Sequence, residues 1–362
     1  MGRCFIKPLL FVSNQPYSGK SSFCVGIGML LKEKGYKVGY MKPIITLPFS
    51  VEGQIADEDA KYILKLLDIH DDINDISPVN YIELLRTVSP KNLEKNPENF
   101  LDKIGRAYEK ISSGKDILLI EGARTIEDGM HLGISAREIC RKVSAKAIVI
   151  TRYADEMLDQ VLYYSEFFGN SFAGIIINLV PYESVNRLKN EIFPYLEKNK
   201  IKIFGYVTSD NFLSSVSVKE IAKHLEARVL SAEGKQDELV ESFMLGAMGY
   251  DLALSFFKKK TDKAVITGGD RADIQLAALE TDTKCLILTG NFSPSSIVVG
   301  RAQELGVPIL LVKYDSITTI EKLNELLGHT GFHEFKKIDK ILQITRDFID
   351  LEAIISIVGQ ET

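Results

Sequence analysis

The sequence predicts an α/β protein in which a parallel sheet with covering helices is followed by a second, smaller α/β layer. Three observations carry that prediction. Short β-branched or aliphatic runs alternate with helix-length amphipathic segments through about the first two hundred residues, the pattern of a parallel sheet covered on both faces. The first of these runs passes directly into a Gly-Lys-Ser turn, and a new series of strand and helix units begins beyond a polar break near Ser209-Asp210-Asn211. With 362 residues, 45% of them hydrophobic, the chain is expected to form two cores of ordinary size.

Strands are expected at Leu9 to Val12, Lys37 to Met41, Ile117 to Ile120, Ala147 to Thr151, Ala173 to Ile177 and Lys202 to Val207. The first opens into Ser13-Asn14-Gln15-Pro16-Tyr17-Ser18-Gly19-Lys20-Ser21-Ser22, followed by the amphipathic stretch Phe23 to Lys34. This is strand, loop and helix in the layout of a phosphate-binding loop. The P-loop pattern is a glycine, four free positions and Gly-Lys-Ser/Thr, because close-packed backbone N–H groups and a helix N-terminus must surround phosphate oxygens. Gly19, Lys20 and Ser21 fit it, while Asn14 stands where the first glycine is expected. Asn tolerates positive φ better than other side chains, so the turn is expected to survive. Asn14, Ser18, Gly19, Lys20, Ser21 and Ser22 are thus candidates to bind a nucleotide; the bland alternative is a relic loop that only keeps the fold.

In an open α/β sheet, ligands gather at the carboxyl ends of the strands. Those positions carry Lys42-Pro43 after the second strand, Glu121-Gly122-Ala123 after the third and Asn178 after the fifth. Around a nucleoside triphosphate, Lys20 would meet the β- and γ-phosphates and the Ser21 hydroxyl would ligate Mg²⁺. Glu121 and Asp59 are the carboxylates that would complete the magnesium shell, although Asp57-Glu58-Asp59 also suits helix capping. Lys42 would stabilise charge on a transferred phosphoryl group, or it is a surface lysine before a proline. Asn178 would read a base edge, or it is a turn residue ahead of Pro181.

Ser18-Gly19-Lys20-Ser21, Met41-Lys42-Pro43-Ile44, Asp59-Ala60, Glu121-Gly122-Ala123 and Ile177-Asn178 occur in the order and rough spacing of dethiobiotin synthetase. This stretch, about residues 5 to 210, also resembles the cobyrinic acid a,c-diamide synthases and the amino-terminal domain of long-form phosphotransacetylases. The resemblance implies a P-loop NTPase-type fold that binds ATP with Mg²⁺, with phosphates on Lys20 and Ser21, metal on Ser21, Asp59 and Glu121, and carbamate or phosphoryl chemistry on Lys42. Two departures from the synthetases are Asn14 and Arg124-Thr125-Ile126-Glu127-Asp128, which replaces their glycine-rich run after Glu-Gly-Ala.

The second half is expected to open with a helix at Ser217-Val218-Lys219-Glu220-Ile221 and a long amphipathic helix over about Asp237 to Lys258. Strands follow at Ala264 to Thr267, Cys285 to Leu288 and Ile309 to Val312. Val265 to Gln275, with Gly268-Gly269-Asp270-Arg271 at its centre, resembles the DRTGG domain found in the middle of long-form phosphotransacetylases. Gly268, Gly269, Asp270 and Arg271 form a second candidate site where a ligand or partner chain could approach the backbone, with Arg271 and Asp270 as a paired or anion-binding set. The alternative is a tight turn with a capping Asp270 and a surface or dimer salt bridge. The expected domains are 1–210, P-loop; 211–334, DRTGG; and 335–362, a helical segment packed on the second domain or on a partner.

A net charge of -5 provides no broad cationic surface for nucleic acid. Cys4, Cys24, Cys140 and Cys285 show no paired spacing, so reduced, buried thiols are expected rather than a zinc or redox centre. Among His70, His131, His224, His329 and His333 only His131 falls near the first site in sequence, and a loop histidine explains it equally well. No apolar stretch reaches the length needed to span a bilayer, so a soluble, cytoplasmic protein without a membrane partner is expected. The resemblance reaches only the front of a long-form phosphotransacetylase, so acetyl transfer is not expected of these residues alone. Two functions follow as expectations: an ATP·Mg²⁺-binding regulatory or assembly protein linked to acetyl-CoA metabolism, acting as a homodimer or higher homo-oligomer, or an ATP-dependent ligase that activates a small carboxylate, carbamate or acyl metabolite.

Overall fold

The structure is a computed structural model that describes residues 8–51, 54–88, 100–328 and 335–359. Cys4, His329 and His333 lie outside them. The chain divides into two compact units: one ends at Ser209 and resumes with the carboxyl-terminal helices, and the other begins at Asp210.

In the first unit, β1 (Leu9–Ser13), β2 (Val38–Met41), β3 (Ile117–Glu121), β4 (Lys146–Arg152), β5 (Phe172–Val180) and β6 (Ile203–Thr208) form one sheet. Its order is β6-β5-β4-β1-β3-β2, with every neighbouring pair parallel. All residues of β1, β2 and β3 are buried. Strands covered on both faces need apolar side chains on both, which is why they read as continuous runs such as Ile117-Leu118-Leu119-Ile120. The helices between them include α1 (Lys20–Glu33), α2 (Glu58–Leu66), α3 (Phe100–Ser112), α4 (Ala136–Val143) and α5 (Met157–Phe168). An antiparallel hairpin, Pro48–Val51 with Gln54–Asp57, delivers Asp57 to the start of α2. The connection from β1 runs toward β2, whereas the connection from β4 runs toward β5. The chain therefore reverses direction between β1 and β4, the place where an open α/β sheet leaves a crevice at its carboxyl edge.

In the second unit, Ser217 caps α6 (Val218–His224) through a reciprocal capping box with Glu220. The strands β7 (Arg228–Ser231), β8 (Ser242–Leu245), β9 (Lys263–Gly268), β10 (Thr283–Thr289) and β11 (Ile309–Leu311) form a sheet of order β7-β11-β10-β9-β8. Only the β7–β11 pair is antiparallel. Alternate residues of β9 to β11 enter opposite cores. Val265, Leu286, Leu288 and Leu311 join α7 (Tyr250–Phe257), α8 (Ala272–Leu279) and α9 (Ser296–Leu305) on one face. Ala264, Ile266, Cys285, Ile287 and Leu310 join α6 and α10 (Ser316–Gly328) on the other.

Two expectations are corrected here. The stretch from Asp237 to Lys258 is not one helix: Ser242–Leu245 pairs parallel with Lys263–Ile266, and helix resumes only at Tyr250. Gly246 donates its N–H to Ile266 O at 2.8 Å, and a Cβ there would press to 2.5 Å from Ile274, so the glycine belongs to a close sheet-to-helix approach that no helix could make. The carboxyl-terminal helices α11 (Phe335–Phe348) and α12 (Leu351–Gly359) pack on the first unit, not on the second. A Cβ on Gly26 of α1 would collide with Thr345 of α11. Arg346 pairs with Glu33 at 2.7 Å, Lys34 with Glu352 at 2.7 Å, and Asp350 N–H donates to Phe204 O at 2.7 Å. The physical reason is that β6 is an edge strand with unpaired backbone groups, and the returning chain covers it.

Candidate functional site

The loop after β1 sits at the carboxyl edge of the sheet, beside the point where the chain reverses. Its left-handed residues are Tyr17, at φ 56, and Gly19, at φ 94. Asn14 is not among the positive-φ residues, so the expectation that asparagine preserves the first glycine's backbone conformation is corrected. Instead Asn14 acts through its side chain, with Nδ2 donating to Gln160 Oε1 at 2.5 Å. Ser18 is fully buried and donates its hydroxyl to Gln15 O at 2.8 Å. Gly19 precedes α1 without any side-chain cap, and Ser22 lies half-buried in the first turn of that helix.

Lys20 is 7% exposed. Its ammonium donates to Ser13 Oγ at 2.6 Å and to Arg124 O at 2.9 Å, both neutral oxygens. Burial therefore lowers its pKa to about 8, with Glu121 opposing the shift incompletely. Lys42 has the opposite surroundings. It is 2% exposed, and its Nζ lies 2.8 Å from Asp57 Oδ1, 2.8 Å from Asp59 Oδ2 and 3.5 Å from Glu121 Oε1. Burial alone would lower its pKa, but Glu121, Asp59 and Asp57 outweigh burial and hold it above the ordinary value. Lys42 is thus a buried, permanently charged centre and not a surface lysine.

The three carboxylates divide the work. Asp57 caps α2, accepting from the Asp59 and Ala60 N–H groups through Oδ1 and from Thr46 and Leu47 through Oδ2. Capping belongs to Asp57, and Asp59 is left to face Lys42. Glu121 accepts from Ser21 Oγ at 2.8 Å and from Tyr40 OH at 3.0 Å. Burial raises the Glu121 carboxyl above its ordinary value, with Lys42 pulling the other way. Asn178 is engaged by backbone on both sides: Nδ2 donates to Ser18 O at 2.9 Å and Oδ1 accepts from Leu179 N–H at 2.9 Å. In this structure the amide holds the loop.

The donor set suits magnesium. A hydroxyl and a carboxylate meet at Ser21 and Glu121, and Asp59 shares Lys42 with Glu121; magnesium needs only one or two carboxylates when it keeps waters and substrate oxygens. Among the described residues no group of three or more His, Cys, Asp or Glu could hold an ion by itself. A magnesium ion here would depend on phosphate oxygens for part of its shell.

Ser21, Glu121, Lys42 and Asp59 are joined by these contacts into one cluster, and Asn178 holds the loop that carries Ser18, Gly19 and Lys20 beside it. Sequence reasoning missed Ser13, Tyr40 and Arg152, and saw Asp57 only as part of a capping triplet. The signal available for Arg152 was its place at the carboxyl end of β4, next to the loop-bearing strand. His131 is exposed and its ring lies near Tyr81, with centroids 6.3 Å apart, and among the described residues no hydrogen bond or ion pair ties it to this cluster.

Gly268 to Arg271 close β9 in the second unit. A Cβ on Gly269 would collide with the carbonyl oxygen of Phe292, so the close approach that demands glycine comes from the unit's own neighbouring loop. Arg271 pairs with Asp273 through Nε and Nη2, each at 3.1 Å, and also donates to Met248 O at 3.0 Å. Asp270 does not cap α8, which has no side-chain cap, and it is Asp273, not Asp270, that partners the arginine. The expected capping by Asp270 is corrected on that ground.

A Gly-Lys-Ser loop between a central strand and its helix, on the carboxyl edge of a parallel sheet, defines the P-loop class. A family described as AAA domain matches residues 7–231, more than half of the chain, and the chain belongs to that family. A DRTGG domain matches residues 220–326. The chain is 26% identical over 375 residues to a phosphate acetyltransferase of Nitratidesulfovibrio vulgaris, covering 94% of this chain and 50% of that protein. A phosphate acetyltransferase of Pseudomonas aeruginosa is 23% identical over 364 residues, covering 92% and 49%. An ATP-dependent dethiobiotin synthetase of Methanococcus vannielii is 28% identical over 195 residues, covering 52% of this chain and 87% of that protein. The chain spans about half the length of the phosphate acetyltransferases it matches. It is related to their amino-terminal region and, through its first unit, to dethiobiotin synthetase. Among the described residues no helix is long and apolar enough to cross a membrane.

Proposed function

We propose that the first unit binds a nucleoside triphosphate, ATP in the first instance, with Mg²⁺, and that the chain serves a regulatory or assembly role related to the front half of a phosphate acetyltransferase. The observation that carries this reading is Lys20: a buried ammonium at the amino end of a 14-residue helix, bonded to two neutral oxygens, with its pKa lowered to about 8. A cation in that setting gains from an incoming anion, and the helix N-terminus beside it favours one too. Lys20 would take the β- and γ-phosphates, and Ser21, Glu121 and Asp59 would hold the magnesium, which when bound would neutralise phosphate charge. Lys42 would keep the carboxylates in place from behind.

A ligase is the second reading, favoured by the match to dethiobiotin synthetase across 87% of that protein. In it Lys42 would serve the activation of a small carboxylate or carbamate. Thermal-shift screening of wild type and Lys20→Ala against ATP, ADP, GTP, CoA compounds and small carboxylates separates the readings, since a ligand of the folded state raises the melting temperature. Stabilisation by Mg·ATP alone with little hydrolysis supports the regulatory reading. ATP hydrolysis that depends on one small carboxylate supports the ligase, and no shift with any nucleotide rejects both.

A further inference from the structure

Arg152 ends β4, the strand beside β1, and so faces the loop from across the point where the chain reverses. Its Nη2 donates to Tyr17 O at 2.8 Å and to Pro16 O at 3.3 Å. Among the described residues it makes no carboxylate contact within ion-pair distance, and its Nε is buried with no hydrogen-bond partner. A half-buried guanidinium directed at two backbone carbonyls of one loop is an unusual use of the side chain that otherwise forks onto carboxylates and phosphates. The carbonyls it holds flank the strained part of the loop. Tyr17 is left-handed at φ 56, a conformation that a tyrosine keeps only where its surroundings over-determine it. Two further side chains grip the same loop: Asn178 on the Ser18 carbonyl and Gln160 on the Asn14 amide.

We propose that Arg152 is a positioning residue for the nucleotide site, holding the Pro16 and Tyr17 carbonyls outward so that the loop keeps its anion-receiving shape without the first glycine of the P-loop pattern. This inference rests on the nucleotide reading above, and it adds what sets the loop's conformation. The loop is shaped from outside, by side chains of β4, β5 and α5, where a glycine would have shaped it from within. Arg152 touches no reacting atom and acts through the backbone.

The test uses the full chain, with Arg152→Ala and the conservative Arg152→Lys, which retains one donor for the Tyr17 carbonyl. Titration with Mg·ATP should show a Kd about tenfold weaker for Arg152→Ala and mostly restored for Arg152→Lys, with the unliganded melting temperature nearly unchanged. In chain labelled with ¹³C and ¹⁵N at tyrosine, the ¹³Cα shift and ³J coupling of Tyr17 report its left-handed φ without any ligand. They should move toward ordinary extended values in Arg152→Ala and not in Arg152→Lys. A Tyr17 signal unchanged in Arg152→Ala, or an unchanged Kd where wild type binds, overturns the inference. If wild type binds no nucleotide, the functional reading fails, while the Tyr17 signal still decides whether Arg152 sets the loop.

Discussion

Replacing Lys42 with Met tests whether the site is built around a buried cation. The substitution keeps most of the side-chain volume and removes one charge that contacts Asp57 and Asp59 at 2.8 Å and Glu121 at 3.5 Å. At an effective dielectric constant of about 20, a contact at that shorter distance is worth roughly 6 kcal/mol before desolvation is counted. Taking the groups out of water consumes most of this gain, and the net cost of deleting one partner from a buried pair is about 3–5 kcal/mol. For a unit of this size each kcal/mol lowers the melting temperature by about 2–4 °C, so a fall of roughly 6–20 °C at pH 7 is expected by calorimetry. The pH dependence has a definite sign. Burial already raises the Glu121 carboxyl above its ordinary 4.5, and the strongest opposing influence is Lys42. A group raised in the folded state contributes stability that is fully present below its unfolded pKa and is lost as pH rises through its folded pKa. In Lys42→Met that folded value rises further, so the deficit relative to wild type should be largest near pH 7 and shrink toward pH 4.5. A melting temperature within 2 °C of wild type, or a deficit that does not change with pH, would refute the buried-cation account. A turnover defect in a Lys42 variant must therefore be separated from this loss of stability before it is read as chemistry.

Lys20 makes nucleotide affinity pH-dependent. Its pKa is lowered to about 8 in the free protein, and phosphate oxygens beside it would restore the ordinary value of 10.5, so binding takes up a proton between those limits. Affinity should be flat below pH 8 and fall by up to about tenfold per pH unit above it, with proton uptake visible by titration in buffers of different ionisation heat; constant affinity from pH 7 to 9.5 would contradict this. Gly26→Ala should destabilise the first unit by about 1–3 kcal/mol through the collision with Thr345 of α11. Alanine is the better helix former by about 1 kcal/mol, so a more stable variant by denaturant unfolding would show that α11 does not pack on α1.

The strands were legible because a parallel strand buried on both faces must be apolar at every position, as in Leu9-Leu10-Phe11-Val12. The stretch around Met244 was not, since a short edge strand and a short helix in succession leave an apolar density that a single longer helix also fits. The return of α11 and α12 to the first unit was hidden for a different reason. Neighbours in sequence are the natural guess for neighbours in space, and the need to cover β6 is visible only once the strand order is known. Within the site, residue type at the strand ends found Lys20, Lys42, Asp59, Glu121 and Asn178, but not what each one does. That depends on convergence: Asp57 and Asp59 come from the start of α2 and Glu121 from the end of β3, and only together do they turn Lys42 into a fixed charge. Asn14 shows the same limit, since its substitution for glycine suggested a backbone role and the structure gives it a side-chain bond to Gln160.

In the proposed function, the loop from Ser13 to Ser22 receives a nucleotide through Lys20. Isothermal titration of wild type and Lys20→Ala with Mg·ATP at pH 7 tests it most directly. Wild type should bind saturably, and Lys20→Ala should lose about tenfold or more in affinity, the loss of at least one charge-assisted contact to phosphate. Absence of binding to wild type, or equal affinity in the two proteins, would contradict it.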